Sequence, residues 1–282
     1  MADFANPVLS NIANEIYASQ PVLPDPMRLP QGGHESTVYL GLNDLSREDE
    51  MRDLPKYVTK VAEKGVTDRN GKTVDLDVSD PKKLRAYFES IGVGGQRKGE
   101  KAADAEARMT RLMALFTGVT DKAGNVHDIN VEKRDEMAEF VHVLQKVQNG
   151  ELGMERLILS GHSNGTQLFS GSPGNAGVYF DQIKQILKLF PKARGGVDDL
   201  MLSACHTLEK YGATDNSDGK RWKEMFPGLE TMTGYDGKSP DNKGGAKRHQ
   251  ALFLQGSEGH DSDDLVAAMA NEKWLNAAVK TY

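Results

Sequence analysis

The chain contains one cysteine, Cys205, at the end of an apolar run, Leu200-Met201-Leu202-Ser203-Ala204-Cys205. A second run of the same pattern lies upstream and ends in an imidazole, Leu157-Ile158-Leu159-Ser160-Gly161-His162. A free thiol with pKa near 8.5 is mostly protonated at neutral pH, and an adjacent histidine activates it by taking the proton or by pairing with the thiolate. If the two runs are neighbouring parallel strands about 4.8 Å apart, joined by a right-handed crossover through a helix at 178–190, their ends bring imidazole and thiol within reach of each other. Attack on a peptide carbonyl then gives a thioester. The developing oxyanion needs preorganised donors, which the turn containing Gly161 and Ser163 and the backbone N–H of Cys205 are placed to supply.

The elements that must position these residues alternate between strand and helix. Strand patterns occupy 37–42, 72–78, 155–160, 199–204 and 229–234. Helical patterns occupy a segment opening at Ser46 with Leu54, Val58 and Val61 at helical spacing, a segment from Lys82 opened by Asp80-Pro81, and 105–116, 131–148 and 178–190. Such alternation predicts an α/β fold, a mostly parallel sheet covered by helices on both faces, with function at the carboxyl ends of the strands. Residues 1–34 include a run with four prolines, PVLPDPMRLPQGG, and read as an N-terminal arm. Residues 35–282 read as one domain, with a glycine-rich charged loop at 92–104 and a helical insertion over 92–150.

Composition narrows the function classes. The 282 residues are 38% hydrophobic and 27% charged, with a formal net charge of -6, which argues against general affinity for nucleic acid or an anionic membrane. No stretch approaches the roughly 18 to 20 apolar residues that cross a bilayer, and the N-terminus lacks a basic start followed by an apolar core. A cytoplasmic location is the expectation. One cysteine rules out an intramolecular disulfide and a thiolate zinc site. His127, His142, His249 and His260 lack zinc-like pairing with acids, and the acidic run at 260–264 reads as the cap of a helix running through Trp274 rather than a calcium site. Neither metal nor cofactor is expected.

The blocks Ser-Gly-His-Ser-Asn-Gly and Ser-Ala-Cys-His-Thr, each after an apolar strand and in this order, resemble the caspase-hemoglobinase group of cysteine peptidases. The resemblance covers roughly 37–60 and 155–237. It implies a three-layer caspase-like α/β fold with a mostly parallel sheet of about six strands, a dyad of His162 and Cys205, and cleavage of a protein or peptide substrate after a residue chosen by a pocket beside the dyad. Activation by cleavage or by a partner protein is compatible with it. Many relatives carry glycine directly after the histidine, where this chain has Ser163.

Three other readings compete. A lone cysteine closing a buried strand is commonly plain core. Gly161-His162-Ser163-Asn164-Gly165 satisfies Gly-x-Ser-x-Gly, the nucleophile elbow of α/β-hydrolases, with Asp236 and His249 or His260 completing a triad. That elbow demands a helix directly after the serine, which glycine and proline at 171, 173, 174 and 177 forbid. A caspase-like fold can also serve as a non-catalytic interaction module. His206 reads as structural, the basic loop at 237–250 as mobile, and Asp199 and Asp236 as candidates for a pocket that accepts lysine or arginine.

Overall fold

The computed structural model describes residues 36–42, 54–61, 65–117, 119–120, 126–127, 135–169, 178–211, 214–217, 219–240, 245–258, 265–267, 269 and 277–282. The expected arm at 1–34, the helix start at Ser46 and the capping run at 260–264 lie outside them. The central sheet has six strands: β1 (Thr37–Gly41), β2 (Val58–Val61), β3 (Arg156–Ser160), β4 (Asp199–Ser203), β5 (Thr231–Tyr235) and β6 (Ala277–Thr281). They lie in the order β2-β1-β3-β4-β5-β6, parallel throughout except for β6, which pairs antiparallel with β5. The described helices are α1 (Pro81–Ser90), α2 (Ala102–Thr117), α3 (Asp135–Asn149), α4 (Phe180–Lys188), α5 (Pro191–Gly195), α6 (Lys220–Met225) and α7 (Gly245–Gly256).

Every residue of β1, β3, β4 and β5 is buried, as a strand covered on both faces must be. Alternation along each strand divides the side chains between two cores. Val38, Leu40, Leu157, Leu159, Leu200, Leu202 and Met232 join the first, with Leu84, Phe140, Ile183 and Trp222 from the helices. Tyr39, Ile158, Met201 and Tyr235 point into the second, against Phe253 and Leu254 of α7 and against Leu265 and Met269. Helices thus cover both faces in three layers.

One expectation holds at the level of a single residue. Asp80 caps α1 as its position before Pro81 predicts, its carboxylate accepting the Lys82 N–H at 2.8 Å. Others need correction. Val58 and Val61 form a strand rather than the side of a helix, for a geometric reason: residues three apart share a helix face but point to opposite faces of a strand, and here both faces are buried. Within 72–78 only Thr73–Val74 pairs, in a small antiparallel ribbon with Val66–Thr67 outside the main sheet. The 92–150 segment, expected as an insertion, includes α3, which packs against β1 and β2 and so belongs to the cover of the sheet. Its entry loop is held by Arg108, whose guanidinium donates to the carbonyls of Val93 and Gly95 and to Glu100. That hydrogen bond holds the Glu100 carboxyl down to about 2.

Candidate active site

β3 and β4 run in register, with Arg156 opposite Asp199 and Ser160 opposite Ser203. The tie continues past the strand ends, since the Gly161 N–H donates to the Ser203 carbonyl at 3.3 Å. Gly161-His162 and Ala204-Cys205 therefore leave the sheet from matched positions on adjacent tips. The imidazole of His162 is exposed and stacks on Phe169, the ring centroids 5.7 Å apart. Cys205 is a half-buried free thiol.

On the histidine side, His162–Ser163 pairs antiparallel with Gln167–Phe169, which Val178–Tyr179 extends into a three-stranded ribbon. The connecting turn is built from its own polar groups. Ser163 Oγ accepts the Gly165 N–H at 3.0 Å, Asn164 Oδ1 accepts the Thr166 N–H at 3.1 Å, and Gly165 takes a left-handed φ of 80°. Ser163 is buried, and the described residues directly after it, 164–169, form a turn and a strand rather than a helix. The strand, turn and immediate helix of a nucleophile elbow are not what this segment forms.

On the cysteine side, residues 205–208 turn sharply against the end of β5. His206 sits at φ 59°, a left-handed conformation that costs a non-glycine residue roughly 1–2 kcal/mol. Bonds to the neighbouring segment offset that cost: the His206 N–H donates to the Gly237 carbonyl at 2.6 Å, the Leu208 N–H to the Tyr235 carbonyl at 2.9 Å, and the Tyr235 N–H to Thr207 Oγ1 at 3.1 Å. The His206 ring pairs with Glu209, which agrees with its structural reading. Gly234 makes the packing feasible, because a Cβ there would fall 2.7 Å from Thr207 Oγ1 and 2.9 Å from Leu208 Cγ. A glycine inside a strand pattern is the signal of such a close approach.

The expected donors separate into used and unused. The Gly161 N–H is spent on Ser203, so it is not an oxyanion donor. Among the described residues the Cys205 N–H has no hydrogen-bond partner. The two acids expected beside the dyad also separate. Asp236 is exposed directly after β5, at the carboxyl edge of the sheet. Asp199 is the first residue of β4, buried at the opposite edge, and its carboxylate accepts the Thr231 hydroxyl; with Ser203 roughly 13 Å further along the strand, it lines no cleft at the dyad.

The segment 237–250, expected as a mobile loop, carries the first half of α7. His249 is fully buried there, its Nδ1 2.7 Å from the Tyr235 hydroxyl and the two rings stacked, so it packs in the core and serves no exposed triad. His260 lies outside the described residues. Ser239, in the same loop, carries the contact that sequence reasoning missed: its N–H donates to Cys205 Sγ at 3.3 Å, and its Oγ lies 3.3 Å from the same sulfur.

No protein-family model and no curated protein matches the chain. A solved structure is similar to it. That structure is a secreted C11 cysteine protease from Bacteroides thetaiotaomicron in complex with an irreversible peptide inhibitor, 10% identical with a TM-score of 0.38 over 86% of this chain. The chain spans 60% of that protein's length.

The arrangement at the tips is suited to covalent catalysis. A solvent-facing base stands on one strand end, a thiol with partial access on the next, and an unused backbone donor on the thiol's own residue. None of these groups needs a metal to act.

Proposed function

We propose that the chain is a caspase-like cysteine endopeptidase in which Cys205 is the nucleophile and His162 the general base. The observation that carries this reading is the register of β3 and β4, which starts His162 and Cys205 from paired residues on adjacent parallel strands. In the proposed reaction the imidazole takes the thiol proton, and the sulfur bonds to the scissile carbonyl carbon. The Cys205 N–H donates to the oxyanion that forms. Collapse breaks the C–N bond, and the imidazolium returns its proton to the departing amine, leaving a thioester. Water, deprotonated by His162, then releases the acid and regenerates the thiol. The substrate is a protein or peptide, and Asp236, exposed at the same edge, favours a basic side chain at the cleaved position.

The test uses fluorogenic peptides with lysine, arginine or aspartate before the reporter, together with a thiol-directed electrophile. Cys205→Ala abolishes both turnover and labelling with the fold intact, whereas Ser163→Ala keeps most of the turnover. Activity that survives the first variant and dies with the second would transfer the chemistry to Ser163. Equal turnover of acidic and basic peptides would remove the role given to Asp236.

A further inference from the structure

The sulfur of Cys205 already has partners in the free protein, and they come from the strand on the side away from His162. β4 lies between β3 and β5, so the turn bearing Cys205 has the histidine tip on one flank and the loop leaving β5 on the other. That loop folds back over the turn. Its Gly237 carbonyl accepts the His206 N–H at 2.6 Å, and Pro240 is buried. Between these two anchors Ser239 directs its N–H at Cys205 Sγ, 3.3 Å away, and places its hydroxyl at the same distance from that sulfur. Among the described residues, neither the amide nor the hydroxyl of Ser239 bonds to anything else.

Two donors on one sulfur stabilise the thiolate over the thiol, because hydrogen bonds to an ionised acceptor are about twice as strong as neutral ones. We infer that Ser239 is a third catalytic residue, whose N–H and O–H hold the negative charge of Cys205 from the side opposite His162. The inference rests on the reading of Cys205 as nucleophile. His162 accepts the thiol proton, and Ser239 supplies the donors that stabilise the sulfur anion left behind. The left-handed His206 and the glycine at 234 acquire a purpose in this scheme, since both let the nucleophile turn pack against the strand whose following loop carries Ser239.

The effect has a characteristic signature. A better-stabilised thiolate is more abundant at low pH but intrinsically less nucleophilic, by a Brønsted slope of about 0.4 to 0.5. Removing the hydroxyl therefore shifts the pH profile of the thiol's reactivity upward without lowering its high-pH plateau. A loosened structure would not produce that combination.

The experiment measures iodoacetamide alkylation of the full chain against pH for the wild type, Ser239→Ala, Ser239→Gly, Ser239→Thr and His162→Ala, with thermal unfolding of each as a check on the fold. In Ser239→Ala and Ser239→Gly the midpoint of the profile rises by about half a pH unit, a roughly threefold loss of thiolate at the acid end. Ser239→Thr, which keeps the hydroxyl, restores the wild-type midpoint. An unchanged midpoint in both hydroxyl-free variants, or faster alkylation at pH 6, overturns the role of Ser239. The dyad is judged separately by His162→Ala. If that variant alters neither the profile nor peptide turnover, the proposed function fails, whatever Ser239 does. If it alters both while the Ser239 variants alter nothing, the dyad stands and Ser239 is merely a neighbour.

Discussion

The two edges of the central sheet treat their polar residues in opposite ways. At the amino edge, Arg156 opens β3 fully buried, donating to the Leu254 carbonyl at 2.9 Å and to Ser257 Oγ at 3.3 Å, and pairing with Glu258 at 3.1 Å. Asp199 beside it accepts the Thr231 hydroxyl. Each of these groups finds a partner within the fold, and Arg156 and Asp199 are sealed from solvent, which is how a buried charge is made tolerable. At the carboxyl edge the base is exposed, the thiol half-buried, and one amide unpaired among the described residues. Strands of the same apolar character thus end in a closed polar network on one side and an open one on the other. Openness, more than residue type, separates the groups fitted for chemistry from those that hold the structure.

The difference should appear most strongly when one group from each edge is removed. His162→Ala is expected to lower peptide turnover at least a thousandfold, as loss of the base does in enzymes whose residues act as a unit, while stability stays within about 0.5 kcal/mol of the wild type. Arg156→Ala should do the reverse. It removes the cation that faces Glu258 and the buried donor to the Leu254 carbonyl, at a cost of about 3–5 kcal/mol in urea unfolding, with per-molecule turnover preserved in whatever fraction remains folded. A His162 variant that unfolds, or an Arg156 variant that stays stable, would erase the contrast. Gly234→Ala sits between the two, since its Cβ must displace Thr207 and Leu208. Overpacking of about 1–3 kcal/mol and a fall in kcat are both expected, measured by thermal unfolding and by turnover at saturating peptide.

Much of the sheet was legible because a strand buried on both faces must be apolar through its middle, and Val38-Tyr39-Leu40, Leu157-Ile158-Leu159 and Leu200-Met201-Leu202 are. The matched endings of two such runs were enough to place His162 and Cys205 on neighbouring tips. What escaped notice did so for physical reasons. Val58 and Val61 carry a helical spacing that a doubly covered strand reproduces by chance. β6 is rich in alanine and runs antiparallel at the sheet's far edge, so neither propensity nor alternation marks it. Asp199 reads as an acid near a strand, but burial at the amino edge is decided by Thr231 on another strand. Ser239 meets the sulfur only because a loop 34 positions downstream folds back onto it, a tertiary event with no local sequence pattern.

Closed networks also respond to acid in a way that open ones do not. With its carboxyl held at about 2 by Arg108, Glu100 binds a proton more readily unfolded than folded. Its contribution is therefore complete above about pH 4.5, the ordinary value for the group, and is lost as pH falls from there towards 2. Thermal unfolding followed through that window should drop more steeply in the wild type than in Glu100→Gln, which has no proton to take up. Parallel curves would mean that the Arg108 cluster is not a stabilising tie.

The smallest effect is expected at Gly161, between the last residue of β3 and His162. Its φ is not left-handed, and an added Cβ would meet the Phe169 carbonyl at 3.5 Å and Leu42 Cβ at 3.6 Å, which are ordinary contacts. Its N–H would still reach Ser203. Gly161→Ala should therefore cost under about 1 kcal/mol, within the range of substitutions that disturb no special feature, and should leave turnover within about threefold of the wild type, in contrast to Gly234→Ala on the other side of the nucleophile turn. A large loss of turnover with unchanged stability would show that the backbone before His162 moves during the reaction, and the histidine tip would then be the mobile partner of a fixed thiol.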